Sequence, residues 1–123
     1  MRRAPLHSDA LALAAGLLDA IDDAPRHRVL RDRIGRGALR LVDAVVLATT
    51  GIERLANLHH ADAEVATLRA HLQLALELGL LPEDFVLDAA AVTDRIGRQL
   101  GGWLRKLDRA QPRATMATAP ADP

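Results

Sequence analysis

The stretch from Asp94 to Leu107 constrains the fold of this chain more than any other part of the sequence. At helical spacing its apolar residues form one stripe and its basic residues form a second. Three glycines, Gly97, Gly101 and Gly102, interrupt it, although a glycine inside a helix costs about 1 kcal/mol relative to alanine. Such glycines usually allow another backbone to approach closely. The stretch therefore predicts a tightly packed helix that shows arginines to solvent, as in an assembled, anion-facing protein rather than an enzyme.

The composition favours an all-α protein with a single domain. The chain has 123 residues, of which 50% are hydrophobic and only 2% are aromatic. Helix-forming residues dominate over those that strands prefer, and the length suits one core. Because cysteine is absent, we expect no disulfide and no thiol chemistry, which suits a reducing, cytoplasmic location.

The N-terminal segment is similar to a signal peptide but departs from one in two respects. Two arginines precede an apolar run at residues 10–18. Ser8 and its neighbours interrupt the approach to that run, and aspartates follow it without a convincing cleavage site. We predict instead an amphipathic first helix capped by Ser8. No apolar run reaches the roughly 20 residues that cross a membrane, so we expect no membrane partner.

Apolar periodicity and turn signals divide the chain into four helical segments, at about residues 8–23, 26–49, 53–78 and 82–109. Pro25 breaks the first segment, Gly51 marks the second connection, and Gly79 suits a left-handed cap before Pro82. Short connections between long helices predict an antiparallel up-down-up-down four-helix bundle over residues 8–109. On either side we expect a short N-terminal arm and a disordered tail, at residues 1–7 and 110–123.

The formal net charge is zero, but the charges are unevenly distributed. Residues 26–40 carry six arginines and one aspartate, and residues 95–109 carry five cations and one aspartate. Between them, residues 41–94 hold nine acidic residues and two arginines. Overall neutrality argues against a protein that coats nucleic acid everywhere, but it still allows a basic surface built from two segments.

Four of the six arginines of the first segment share one sector of the second predicted helix, and all five cations of the last segment share one sector of the fourth. The second helix contributes Arg26, Arg33, Arg36 and Arg40, and the fourth contributes Arg95, Arg98, Arg105, Lys106 and Arg109. One interpretation is a phosphate-binding surface, because the arginine fork bonds two phosphate oxygens at once. The other is a solvated face with local ion pairs. Phe85 and Trp103, the only aromatics, lie on apolar stripes, so any nucleic-acid binding is expected to use backbone phosphates.

The glycines of the fourth helix also leave two interpretations open. Gly97 and Gly101 form a small-xxx-small pair, and Gly102 adds a second face of close approach. Together with Trp103 they would serve either packing of the fourth helix within the bundle or contact between subunits.

Residues that could carry catalysis or hold a metal are weakly represented. His60, Glu64 and His71 lie on one side of the third helix, but the Glu-x-x-His motif of metal sites in bundles is absent. No phosphate-cradling loop, nucleophile elbow or acid–base pair stands out. We therefore predict no enzyme activity, no catalytic residue, no metal and no cofactor.

Two strings of the sequence resemble a known family. Residues 68–81 read Leu-Arg-Ala-His-Leu-Gln-Leu-Ala-Leu-Glu-Leu-Gly-Leu-Leu, and residues 96–104 read Ile-Gly-Arg-Gln-Leu-Gly-Gly-Trp-Leu. They are similar to the Avd family of four-helix-bundle proteins, the accessory variability determinants of diversity-generating retroelements. Bundle proteins encoded in intervening sequences of bacterial large-subunit ribosomal RNA genes are related to this family.

The resemblance implies a homopentameric barrel and a non-catalytic role beside a reverse transcriptase that copies template RNA into mutagenised cDNA. It implies that the basic residues of the fourth helix contact nucleic acid or the polymerase, and that its glycines and Trp103 serve packing or the interface. An oligomeric adapter that binds only protein is the alternative hypothesis, favoured by neutral net charge and few aromatics.

Overall fold

The computed structural model describes residues 5–22 and 26–110, which form a bundle of helices with no strand among them. The four helices are α1 (Pro5–Asp22), α2 (Arg28–Thr49), α3 (Arg54–Glu77) and α4 (Glu83–Ala110). Each helix packs mainly against two neighbours, so that α1 and α3 lie diagonally opposite, as do α2 and α4. Short connections make successive helices antiparallel. The predicted all-α, up-down-up-down four-helix bundle is thereby confirmed.

The helix boundaries differ from the predicted ones mainly at the first helix. α1 begins at Pro5. Proline is well tolerated at the first position of a helix, because the N–H that it lacks would have no acceptor within the helix. Ser8 lies inside the helix, so the prediction that it caps α1 is wrong. Leu6, assigned to the N-terminal arm, belongs to α1 and is fully buried. Residues 1–4 of that arm and residues 111–123 of the predicted tail lie outside the described residues.

Both turns that flank α3 close in the same way. After α2, the Gly51 N–H donates to the Ala48 carbonyl and the next N–H donates to the Leu47 carbonyl. After α3, the Gly79 N–H donates to the Leu76 carbonyl and the next N–H donates to the Ala75 carbonyl. Gly51 and Gly79 have φ of 88° and 70°, a left-handed conformation that favours glycine. The left-handed cap predicted at Gly79 is confirmed, and Gly51 provides a second one.

The core consists of the aliphatic stripes that the sequence predicted. The apolar residues that recur at helical spacing in α2 are all buried, as are Ile96 and Leu100 of α4; those of α2 are Leu30, Ile34, Ala38, Leu41, Val45 and Ala48. Trp103 and Leu107 are half-buried at the end of the same stripe. Thr93 is a buried polar residue that the sequence analysis missed, and its hydroxyl donates to the Ala89 carbonyl at 2.7 Å. Because the helix itself supplies that acceptor, the hydroxyl needs no partner from another element.

Arg54 joins three helices at one end of the bundle. From the first turn of α3, its Nε–H donates to the Ala48 carbonyl of α2 at 2.9 Å. Its guanidinium lies 5.3 Å from the centroid of the Trp103 ring on α4, within the range of a cation–π interaction. The contact holds the side chain of Arg54 in a defined position and covers one face of the tryptophan.

Asp9 joins α1 to α4. One carboxylate oxygen accepts from Arg95 Nε at 3.0 Å and from Gln99 Nε2 at 2.7 Å, and the other accepts from an Arg95 terminal nitrogen at 3.3 Å. The hydrogen bond from Arg95 is the main cause that lowers the pKa of Asp9, partial burial opposes it, and Gln99 adds to it. The ionised form of Asp9 is therefore favoured by folding.

Within the described residues, no helix is long and apolar enough to cross a membrane.

Truncation of a central core leucine should destabilise the bundle strongly. Leu100 is fully buried in α4, so Leu100→Ala should lower the free energy of unfolding by about 2–5 kcal/mol. Gln73→Ala, at an exposed position of α3, should change it by less than about 0.5 kcal/mol. Urea unfolding followed by circular dichroism at one protein concentration measures both. Equal effects of the two substitutions would contradict this assignment of the core.

The Asp9 network should make stability depend on pH in the acidic range. The contribution of the network to the free energy of unfolding is fully present above the ordinary aspartate pKa of about 3.9. It is lost as the pH falls through the lower pKa that Asp9 has in the folded state. Asp9→Asn should therefore lower the Tm at pH 7, and its difference from the unmodified protein should shrink below pH of about 4. Asp43→Asn is the control, since Asp43 makes no ion pair among the described residues. A difference for Asp9→Asn that stays constant across the pH range would refute the network.

Candidate nucleic-acid interface

The basic stripe of α2 contains three arginines rather than four. Arg33, Arg36 and Arg40 are exposed on the outer surface of the helix. Arg26 lies two residues before α2 begins, and its carbonyl accepts a hydrogen bond from Arg31 Nε. Its predicted place in the helical stripe is therefore wrong, because the left-handed conformation of His27 separates it from the helix.

Arg40 is partly neutralised by a neighbouring helix. Its Nε lies 3.1 Å from Oε2 of Glu64 on α3. Gly37 faces the same carboxylate, with Glu64 Oε1 3.6 Å from the position that a Cβ would occupy. Of the three arginines in the α2 stripe, Arg33 and Arg36 have no ion pair within the described part of the chain.

The basic stripe of α4 carries more uncompensated charge. Arg95 is held by Asp9, as described above. The other members of the stripe are exposed and have no ion-pair partner within 4 Å among residues 5–22 and 26–110; they are Arg98, Arg105, Lys106 and Arg109. The nearby acid Asp94 is bound by Arg69 of α3 at 2.8 Å. The half of α4 that follows Asp94 is thus a continuous cationic surface.

The two stripes lie on separate surfaces of the molecule. α2 and α4 occupy diagonal corners of the bundle, and both stripes point away from the core. The exposed face of α3 between them carries Asp62, Glu64 and His60. The structure therefore does not combine the two segments into the single basic surface that the charge distribution allowed.

The three glycines of α4 have different surroundings. A Cβ at Gly97 would lie 3.4 Å from a terminal nitrogen of Arg69 and 3.8 Å from Cγ1 of Val65. Gly97 therefore faces α3 within the protomer, but a Cβ there would make only ordinary van der Waals contacts, so this approach does not require glycine. At Gly101 and Gly102 the nearest such atoms, at 3.3 and 4.0 Å, belong to Arg105 of the same helix. No second helix of the protomer uses the space beside these two glycines.

Trp103 is half-buried and packs against the core. Arg54 lies over its ring, and Phe85 is likewise half-buried against the core. Both aromatics are thus engaged with the core and only partly accessible to a nucleobase. Chemistry at the basic surfaces is therefore limited to hydrogen bonds and charge, the contacts that bind backbone phosphates.

A groove between the start of α3 and the end of α4 was not anticipated from the sequence. It encloses about 550 Å³. Its walls combine the apolar Leu55, Leu104 and Leu107 with two arginines, one from each helix. The only sequence signal was Leu55, which is 51% exposed and lies outside the apolar stripe that helical spacing gives for α3, namely Leu58, Val65, Leu68, Leu72 and Leu76.

The histidines considered for metal binding do not converge. His60 is exposed and His71 half-buried on α3. Within the described residues, no group of three or more His, Asp or Glu side chains has an arrangement suited to a metal ion.

Comparison with known proteins places this geometry in a family. A search among curated proteins gives no match. The sequence model of the bAvd-like family matches residues 10–107, a range that includes most of α1, all of α2 and α3, and nearly all of α4. Both strings that resemble the Avd family, residues 68–81 and 96–104, lie inside it. The match and the four-helix architecture agree, and the chain belongs to the bAvd-like family.

Proposed function

We propose that this protein is a non-catalytic accessory subunit of a diversity-generating retroelement, where it assembles as a ring and binds a reverse transcriptase and template RNA or cDNA. Membership of the bAvd-like family supports the accessory, non-catalytic class. The single observation that carries the nucleic-acid part is the row of uncompensated cations along the second half of α4. The cytoplasm is the compartment in which these partners would meet it.

The chemistry of the α4 surface suits phosphate groups. Arg98 and Arg109 lie three turns apart on one helix, which corresponds to roughly 16 Å at 1.5 Å per residue, so the row spans several nucleotides of a strand. Guanidinium groups bind phosphate oxygens with paired hydrogen bonds. Because both aromatics are half-buried against the core, they offer little ring surface for base stacking, and binding would follow the backbone with little sequence preference. Binding through phosphates would weaken steeply as salt rises.

Self-association is supported by surface that the protomer leaves uncovered. Beside Gly102 the nearest atom is the end of Arg105 on the same helix, 4.0 Å from the position of a Cβ, so no second helix of the protomer fills that space. Large aliphatic side chains are also exposed on the described helices and turns, among them Val29, Leu39 and Ile52. Apolar surface of this kind is stabilised by burial between subunits. We propose a homopentamer, the assembly that the family resemblance implies.

A second candidate is an oligomeric adapter that binds protein partners only. It is favoured by the formal net charge of zero and by the neutralisation of Arg40 and Arg95 by Glu64 and Asp9. Such an adapter would share the fold and the assembly but would not respond to RNA.

Charge reversal on α4 should separate the two candidates. The double variant Arg98→Glu and Arg109→Glu removes two cations that make no ion pair within the described residues, so the helix content should not change. If both contact a single strand, the slope of log affinity against log salt should fall by about 0.7 for each lost phosphate contact. Filter binding of a structured template RNA at several salt concentrations measures this slope.

Arg33→Glu with Arg36→Glu is the matched control, because it reverses the same number of unpaired charges on the opposite surface. We expect this control to bind RNA more tightly than the α4 variant. Equal RNA binding by the unmodified protein and the α4 variant would exclude the α4 surface. No RNA binding by the unmodified protein at low salt would favour the protein-only adapter.

A bulky residue at Gly102 should prevent assembly without unfolding the protomer. The nearest atom to a Cβ there is the mobile end of Arg105, at 4.0 Å, so Gly102→Leu has room within the protomer. Light scattering should give about five times the protomer mass of 13.2 kDa for the unmodified protein and a smaller mass for the variant. Ala63→Leu, at an exposed position of α3, is the control. An unchanged mass for Gly102→Leu would remove the glycine face from the interface.

A further inference from the structure

The groove between α3 and α4 has the size and composition of a small-molecule site. Its volume of about 550 Å³ falls within the roughly 300–1,000 Å³ of such sites, which are mostly apolar with a few polar groups. It lies between the first turns of α3 and the last turns of α4, beside the sole tryptophan. Of the α4 cations proposed to contact phosphate, Arg105 also lines the groove, whereas Arg98, Lys106 and Arg109 do not.

The apolar part of the groove consists of leucine side chains that are partly exposed to water. Leu55 is 51% exposed, and Leu104 and Leu107 are half-buried on the opposite wall. A ligand with an apolar body would remove these side chains from water and be stabilised in proportion to the area buried. A nucleic-acid backbone has no apolar surface of this kind to place against them.

The polar part of the groove is dominated by two arginines. Arg54 is fixed by its hydrogen bond to the Ala48 carbonyl and by the Trp103 ring. A donor that is already immobilised loses little conformational entropy when an anion binds. Arg54 lines the groove, and among the described residues only its Nε donates a hydrogen bond.

Arg105 supplies the second cation from the α4 wall. Its guanidinium folds back towards Gly101, where a Cβ would lie 3.3 Å from one terminal nitrogen. The missing side chain thus provides room for Arg105 beside the groove. Asp108 is the single acidic residue of the lining, so the charge inside the groove is positive.

We infer that this groove binds a small organic anion that carries a carboxylate or sulfonate on an apolar body. The apolar body lies against the leucines, and the anionic group accepts hydrogen bonds from Arg54 and Arg105. A neutral molecule with the same body satisfies the leucines but leaves both guanidinium groups without an anion. The anion should therefore bind more tightly than its neutral analogue.

Two fluorescent probes with the same body test this requirement for charge. 1-Anilinonaphthalene-8-sulfonate is the anion, and N-phenyl-1-naphthylamine is its counterpart without the sulfonate. Titration of the full chain should give saturable binding of the sulfonate with one site per protomer. Its affinity should exceed that of the neutral probe by about tenfold, the effect expected of one charge-assisted hydrogen bond. In protein labelled with ¹⁵N-tryptophan, the single indole N–H resonance should shift as the site fills.

Matched variants localise the site. Arg105→Gln should weaken binding of the sulfonate about tenfold and leave binding of the neutral probe unchanged. Arg109→Gln, on the same helix outside the lining, should change neither. Leu55→Glu places a carboxylate in the groove and should abolish binding of the sulfonate. Leu87→Glu, at a position that is 61% exposed elsewhere on α4, should not.

Several results would overturn the inference. These are non-saturable binding of the sulfonate, equal affinity for the two probes, and equal losses in Arg105→Gln and Arg109→Gln. An unshifted indole resonance at saturation would also place the probe elsewhere. Circular dichroism of each variant confirms that it is folded, and Arg105→Gln keeps the test decisive if Leu55→Glu fails to fold, because Arg105 is exposed.

Discussion

Burial of four aliphatic stripes against one another is the interaction on which the rest of this structure depends. The largest fully buried side chains are leucines and isoleucines contributed by all four helices. Isolated helices are marginally stable in water, so most helical stability comes from this packing. It also fixes the rotation of each helix about its own axis. The rotation of α4 decides that Arg98 points to solvent while Ile96 and Leu100 point inward.

Once the helices are oriented, ion pairs between neighbours decide which cations remain available. Asp9 binds Arg95 across α1 and α4, Glu64 binds Arg40 across α2 and α3, and Asp94 binds Arg69 across α3 and α4. Each pair is partly exposed and adds little to stability by itself. Their larger effect is on the surface potential, because an arginine held by a carboxylate attracts a phosphate less strongly. Within the described residues, the pairs thus leave uncompensated cations on the first half of α2 and on the second half of α4.

The periodic features of the fold were predictable from the sequence, whereas the pairings between distant residues were not. The spacing of apolar residues predicted the buried faces of α2 and α4, and Gly79 before Pro82 predicted the end of α3. Both signals are local, because each involves residues that are close together in the sequence. The partner of Arg95 lies 86 residues away in the sequence, and no local pattern identifies Asp9. The groove likewise requires α3 and α4 to be placed side by side. Arg26 was misassigned because helical spacing alone does not reveal the left-handed residue at His27.

Formal neutrality is therefore a poor guide to what this surface attracts. At physiological salt a charge is felt over about 8 Å, which is shorter than the distance across a bundle of four helices. Acids on α1 and α3 neutralise individual arginines by contact, but they do not screen the far end of α4, where Lys106 and Arg109 lie. A strand of nucleic acid bound as we propose would meet that local field rather than the sum over the chain. The same reasoning applies to the groove, whose lining includes two arginines and one aspartate. The local charge there favours an anion, although the formal net charge of the whole protein is zero.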